Sequence, residues 1–134
     1  MLEFTQLNWL AILVATVAAF LLGGLWYGPI FGRAWMEALG KTEADIEPSP
    51  TPFVVSFFTA LVTAVVLAAL IETLDIASAS EGALFGALTG VGFIATAMAS
   101  DTAFCGWGMK LFAIQAGYRV AYSIIIGALL AGWP

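Results

Sequence analysis

Histidine is absent from this sequence, cysteine occurs once, and lysine and arginine together number only four. Each shortage excludes something. Without histidine, the commonest metal ligand and the usual general base near neutral pH are both missing. The lone Cys105 cannot close an internal disulfide, so nothing points to an oxidising compartment. Four scattered cations make no basic patch, and no nucleic-acid partner is expected. No nucleophile–base pair, glycine-rich phosphate loop or zinc-ligand spacing can be read along the chain. The expectation is a protein that is not an enzyme and holds no metal and no cofactor.

What the chain does have is apolar surface. Hydrophobic residues make up 62% of its 134 residues and charged ones 10%, with a mean hydropathy of +1.02. A soluble domain of this size has too little interior to hide that much apolar side chain. Four stretches, Leu7–Tyr27, Phe53–Leu74, Gly82–Ser100 and Leu111–Trp133, are each about as long as a spanning helix, which needs roughly 20 apolar residues. Water is missing from hydrocarbon, so each backbone group must find its partner within the segment, and a helix achieves that. The sequence thus predicts an all-α, polytopic membrane protein. Residues 1–134 form one membrane domain, with four transmembrane helices in a compact bundle. The first stretch is not a signal peptide by its own chemistry: Met1–Gln6 carries Glu3 and no cation, and the stretch ends in Trp26-Tyr27-Gly28-Pro29 rather than at small residues.

The scarce cations give an orientation. Arg33 and Lys41 lie between spans one and two, and Lys110 lies just before span four. Antiparallel spans put those two connections on one side, which the positive-inside rule makes cytoplasmic, with both termini outside. Trp9, Trp26, Trp107 and Trp133, with Tyr27, stand near span ends, where amphipathic rings favour the interface. Within the first connection, Phe31, Ala34, Trp35, Ala38 and Leu39 share one helical face, and Arg33 and Glu37 fall off it. This predicts a short interfacial helix over residues 31–40, stopped by Gly40 and separated from span one by Pro29. Alternating Pro48, Pro50 and Pro52 predict an extended strap after it.

Every span carries small residues four apart, which share one helical face. Span one has Ala11, Ala15, Ala19 and Gly23; span two has Ser56, Ala60, Ala64 and Ala68. Span three has Gly82, Gly86 and Gly90, and span four has Ala113, Gly117 and Ala121, then Gly127 and Ala131. In lipid, close backbone approach across such residues drives helices together. The ridges either hold one chain together or, for the glycines of span three above all, face another subunit.

Arg119 is the costly residue. It stands nine residues after Lys110, about 13 Å along the axis at 1.5 Å per residue. An arginine at the centre of a spanning helix costs roughly 2.5–3.5 kcal/mol even on the lenient insertion scale. Gln115, Tyr118, Tyr122 and Ser123 surround it with a polar stripe. That stripe could take a solute, a lipid headgroup or a proton. Alternatively, Arg119 could pair with an acid and lock span four to span three, with Asp101 the only acid near the right depth, or it could snorkel toward headgroups. The lock or the snorkel is the favoured expectation. Glu72, Asp75 and Glu81 read as solvated acids rather than a cation site, and Cys105 as inert. Asn8 reads as a helix cap, and Thr16, Thr63, Thr89 and Thr96 as hydroxyls returned to their own helices.

Asn8-Trp9-Leu10-Ala11 opens span one, Trp26-Tyr27-Gly28-Pro29 closes it, and Phe31-Gly32-Arg33-Ala34-Trp35 follows. Near the other end stands Leu111-Phe112-Ala113-Ile114-Gln115-Ala116-Gly117-Tyr118-Arg119. In this order the elements resemble a family of small bacterial four-helix membrane proteins catalogued as a domain of unknown function. The resemblance covers essentially the whole chain, and it implies the fold and a bacterial inner membrane but no reaction. Members of that family often carry Asn where Gln115 stands and His where Arg119 stands. Arginine stays charged where histidine would titrate, so a proton relay is not expected here. The leading expectation is a non-enzymatic bundle that associates with itself or serves as a small accessory subunit, its partners being the bilayer and other membrane chains. The alternative is a transporter or channel for a small anionic solute, using the stripe around Arg119.

Overall fold

A computed structural model describes all 134 residues. Four helices are long and apolar enough to cross a membrane: Trp9–Ile30, Thr51–Thr73, Ala79–Cys105 and Met109–Ala131. Local chemistry sets their ends. Helix α1 (Trp9–Leu25) starts where the Asn8 side chain accepts from the Ala11 N–H at 3.1 Å. It runs into a widened π turn, Trp26–Ile30, in which Gly28 leaves helical geometry (φ −108°, ψ −105°) just before Pro29. The chain then turns into α2 (Gly32–Leu39), which ends at Gly40 in the left-handed region, φ 69°. Helix α3 (Thr51–Thr73) tolerates Pro52 because the first turn of a helix has no intrahelical acceptor for its N–H groups.

The third span is longer than the expected 82–100 and is not uniform. Ser78 caps α4 (Ala79–Thr89) by accepting from Glu81 N–H at 3.2 Å. A π turn, Gly90–Ala95, leads into α5 (Thr96–Cys105), stopped by Gly106 at φ 71°. Its 27 residues span roughly 40 Å against a hydrocarbon core of about 30 Å, so one end overshoots. Helix α6 (Met109–Ala131) follows after a short link. The strap between α2 and α3 is not extended throughout. A single 3-10 turn, Glu43–Asp45, is closed by Thr42 and Asp45 bonding each other's side chain and backbone.

Helix α6 is the hub. It packs on α1, α3 and α4, and α1 also packs on α3. The core between α1, α3 and α6 is filled by Ile12, Ala15, Thr16, Ala19, Ala60, Ala64, Tyr122 and Ile126, all almost completely enclosed. Gly82, Gly86 and Gly90 of the third span are spent inside the chain. A Cβ on Gly82 would lie 2.2 Å from the Gly127 carbonyl oxygen, and one on Gly86 would lie 2.0 Å from that of Ser123. Only residues without side chains let two helix backbones approach so closely. Past Gly90 the contact lapses: α5 buries none of its residues and touches α6 far less than α4 does.

Candidate functional site

Two sequence elements far apart in the chain are brought together around α6. Gly117 leaves room for the Trp26 ring, whose Cζ2 lies 3.1 Å from where a Cβ would stand. The Trp26 indole N–H then donates to the Ile114 carbonyl at 2.9 Å. One turn on, Tyr118 reaches the opposite way. Its hydroxyl donates to the Ala19 carbonyl at 2.9 Å, in a niche that a Cβ on Gly23 would fill. Tyr122 stands on the same face, its hydroxyl 3.3 Å from that of Thr63 on α3. Rings link the whole: Trp35 to Tyr27 at 4.9 Å, Tyr27 to Tyr118 at 5.3 Å and Tyr118 to Tyr122 at 5.1 Å. Edge-on pairs at these separations contribute about 0.5–1.5 kcal/mol each beyond area burial.

The stripe read from the sequence therefore divides. Tyr118 and Tyr122 face α1 and α3 and are buried. Ser123 is buried on the α4 side against Gly86 and Gly90, and its hydroxyl returns to the Arg119 carbonyl at 2.8 Å. Arg119 lies between these faces, partly exposed. Its guanidinium sits over the Tyr118 and Tyr122 rings, 5.3 Å from each centroid.

The Asp101 pairing is not made. Gly90 rests against Val120, so Asp101, eleven residues further on, lies roughly 16 Å away along the axis from the level of Arg119. Asp101 is exposed near the overshooting end of α5. The ion pair in the structure is instead Lys110 with Glu37 at 3.0 Å, both largely exposed, tying α2 to the start of α6. That pair puts the first and third connections on one side.

Gln115 is one turn from Arg119, toward the start of α6, and lines a cavity of about 360 Å³. Ala38 and Leu39 of α2, the Gly106–Gly108 link and Leu111 complete its walls. This space is what remains when α5 diverges and α2 folds back. A second hollow, about 610 Å³, lies on the other side of α2, lined by Tyr27, Trp35, Arg33, Lys41, Glu37 and Glu43 among others. The indole nitrogen of Trp35 is enclosed without a partner. At the opposite end of the bundle, Glu72 borders a small hollow of about 190 Å³ with Asn8 and Trp133. Glu72, Asp75 and Glu81 do not converge with one another into a cluster of three possible metal ligands. The hydroxyls of Thr16, Thr63, Thr89 and Thr96 do return to carbonyls of their own helices.

Sequence reasoning named Trp26 only as an interface residue and missed its bond to α6. The available signal was the pairing of each large aromatic with a distant glycine, Trp26 with Gly117 and Tyr118 with Gly23.

The family model described as "Protein of unknown function (DUF1761)" matches residues 10–131. The chain belongs to that family. No curated protein and no solved structure matches it.

Proposed function

We propose that this DUF1761 member is a non-enzymatic component of a bacterial inner membrane that works by association, with itself or as a small accessory subunit of a larger complex. Both termini face outward in this reading, since Arg33, Lys41 and Lys110 share one side. One observation carries it. Most of the small residues on the ridges of α1, α3, α4 and α6 are covered within the chain, Ala113 being an exception, yet a further small-residue ridge lies uncovered. Gly92, Thr96 and Ser100, four apart, are exposed along the second half of the third span, with Ala99 and Ala103 beside them. A Cβ on Gly92 would meet nothing within 4 Å. The Thr96 hydroxyl is already satisfied by the Gly92 carbonyl at 2.7 Å. Such a surface gains little from lipid and much from another helix lying against it.

The solute-pathway alternative loses ground because the space between α1, α3 and α6 is occupied by side chains. The test is cross-linking in native membranes. Ser100→Cys, in a Cys105→Ser background, should form an oxidant-dependent dimer or a cross-link to a foreign subunit. Leu84→Cys, exposed elsewhere on the third span, should do so far less. A monomer at both positions, confirmed by native mass spectrometry of gently extracted protein, would end the association reading.

A further inference from the structure

We infer that the hollow between α2 and the turn that follows it binds a phosphoethanolamine headgroup. Backbone builds the corner that makes this hollow. Gly28 leaves helical geometry just before Pro29. A Cβ on Gly32 would lie 2.8 Å from the Tyr27 carbonyl oxygen, so only glycine lets the chain fold this tightly from span one into α2. Gly40, at φ 69°, then reverses the chain. The turn closed by Thr42 and Asp45 carries Lys41 and Glu43 back alongside α2. On α2, Arg33 and Glu37 share one face, being four residues apart. Arg33, Glu37, Lys41 and Glu43 thus line one hollow of about 610 Å³, together with the rings of Tyr27 and Trp35. That volume is ordinary for a small-molecule site.

The charges on its wall select the ligand. Arg33 and Glu37 stand at the spacing where such a pair ordinarily meets on a helix, yet Glu37 is engaged by Lys110 at 3.0 Å. That is the one ion pair in the chain, so Arg33, Lys41 and Glu43 have no opposite charge within ion-pair distance. Asp45, near Lys41, is not part of the wall, and the Thr42 N–H and hydroxyl hold its carboxylate. Two cations and one acid therefore remain to be answered. A phosphodiester answers the cations, and a guanidinium can take two of its oxygens at once. A purely anionic ligand would set more negative charge against Glu43. Phosphoethanolamine removes that conflict, because it carries an ammonium one two-carbon link from its phosphate. The depth agrees. Span one has 22 residues, roughly 33 Å against a hydrocarbon core of about 30 Å, so the corner stands at the level of the headgroups. Tyr27 and Trp35, edge-on at 4.9 Å, are rings suited to that level. The same chemistry occurs in a phospholipid and in free phosphoethanolamine. The site does not rest on the association reading, because none of its residues lies on the Gly92–Ser100 ridge.

The test uses the full chain in nanodiscs made of equal parts phosphatidylethanolamine and phosphatidylglycerol, read by native mass spectrometry after release. The wild type should retain phosphatidylethanolamine in preference to phosphatidylglycerol. Excess free phosphoethanolamine is then added: a lipid that stays bound assigns the site to the phospholipid, and a lipid that is displaced assigns it to the soluble compound. Arg33→Gln and Lys41→Gln should each weaken retention several-fold, and together by roughly tenfold or more, as expected for losing charged hydrogen bonds. Glu43→Gln should erase the preference for phosphatidylethanolamine while phosphatidylglycerol is held as well as before or better, a reversal that loss of fold would not produce. All three side chains are exposed, so the variants should fold, and circular dichroism checks that they do. Three results overturn the site: a wild type that retains neither lipid or prefers phosphatidylglycerol, a folded Arg33→Gln/Lys41→Gln protein that binds as the wild type does, or a Glu43→Gln protein with its preference intact.

Discussion

Replacing Gly86 by alanine adds one methyl group, and the structure says it should do disproportionate harm. The new Cβ would stand 2.0 Å from the Ser123 carbonyl oxygen, 2.6 Å from the carbonyl carbon and 2.9 Å from the Ile124 Cα. All three are backbone atoms, so no rotamer change can relieve the clash. Ordinary contact needs about 3.5 Å, so α4 and α6 must part by roughly 1.5 Å, and a gap of even 0.5–1 Å forfeits a quarter to a half of each dispersion contact. Overpacking of this kind costs about 1–3 kcal/mol. Alanine's better helix propensity returns up to about 1 kcal/mol. The net loss should be about 1–2 kcal/mol, with a similar loss for Gly82→Ala, whose Cβ would be 2.2 Å from the Gly127 oxygen. Gly90→Ala should cost less, because its tightest contacts are 3.1–3.3 Å. Gly24→Ala and Gly92→Ala, which meet nothing within 4 Å, should be neutral or slightly stabilising in the monomer. Reversible unfolding in mixed detergent micelles, followed by circular dichroism, measures the series. The reasoning fails if Gly86→Ala unfolds at the same denaturant concentration as Gly24→Ala, since the third span would then not be held by backbone approach.

Four further outcomes follow from single contacts. Trp26→Phe and Tyr118→Phe each keep a ring but delete a 2.9 Å bond to a carbonyl of another helix; each should cost about 1 kcal/mol in the same unfolding assay. The Thr42 backbone N–H and hydroxyl hold the Asp45 carboxyl below its ordinary range. A depressed carboxylate stabilises its turn above the unfolded value and loses that contribution as pH falls through the folded one. Carboxyl NMR titration should therefore show Asp45 moving only part of the way back toward the ordinary range in Thr42→Ala, which removes the hydroxyl and keeps the backbone N–H. Glu37→Gln breaks an exposed pair with Lys110 and should shift stability by less than about 1 kcal/mol, the difference vanishing in high salt. Arg119→Met should leave melting unchanged or raise it, because an unpaired arginine costs roughly 2.5–3.5 kcal/mol at mid-span and ring faces return only about 0.5–2; a clear fall in melting temperature would make Arg119 a structural lock.

Which of these features can be read from the residues depends on how local their cause is. The four spans are legible because hydrocarbon leaves a long apolar segment one way to pair its backbone. Gly40 as a stop and Asn8 as a cap are legible because each acts within one turn. The third span's true length was not, since Asp101 and Thr102 dilute its hydropathy while Gly106, not polarity, ends the helix. A ridge of glycines announces close approach but carries no label for what approaches. Gly82 and Gly86 could be assigned to α6 only once their register with Gly127 and Ser123 was visible. The same register decides Arg119. Its depth along α6 follows from counting residues, but its distance from Asp101 depends on how far α4 and α6 are slid past one another, which no local pattern encodes.

Helix α6 shows why that register matters. Its Tyr face is locked by bonds to Ala19 and Trp26, and its Ser123–Gly127 face is locked by bare backbone. Arg119 is placed on the strip between the two locks, at the level where α4 gives way to the diverging α5. Had the glycine ridge continued beyond Gly90, α5 would have closed over that strip and the guanidinium would have been sealed in without a counter-charge. Instead the π turn and the exposed residues after it leave Arg119 partly open. The divergence therefore does two things at once. It leaves the Gly92–Thr96–Ser100 ridge uncovered by this chain, and it leaves Arg119 partly exposed.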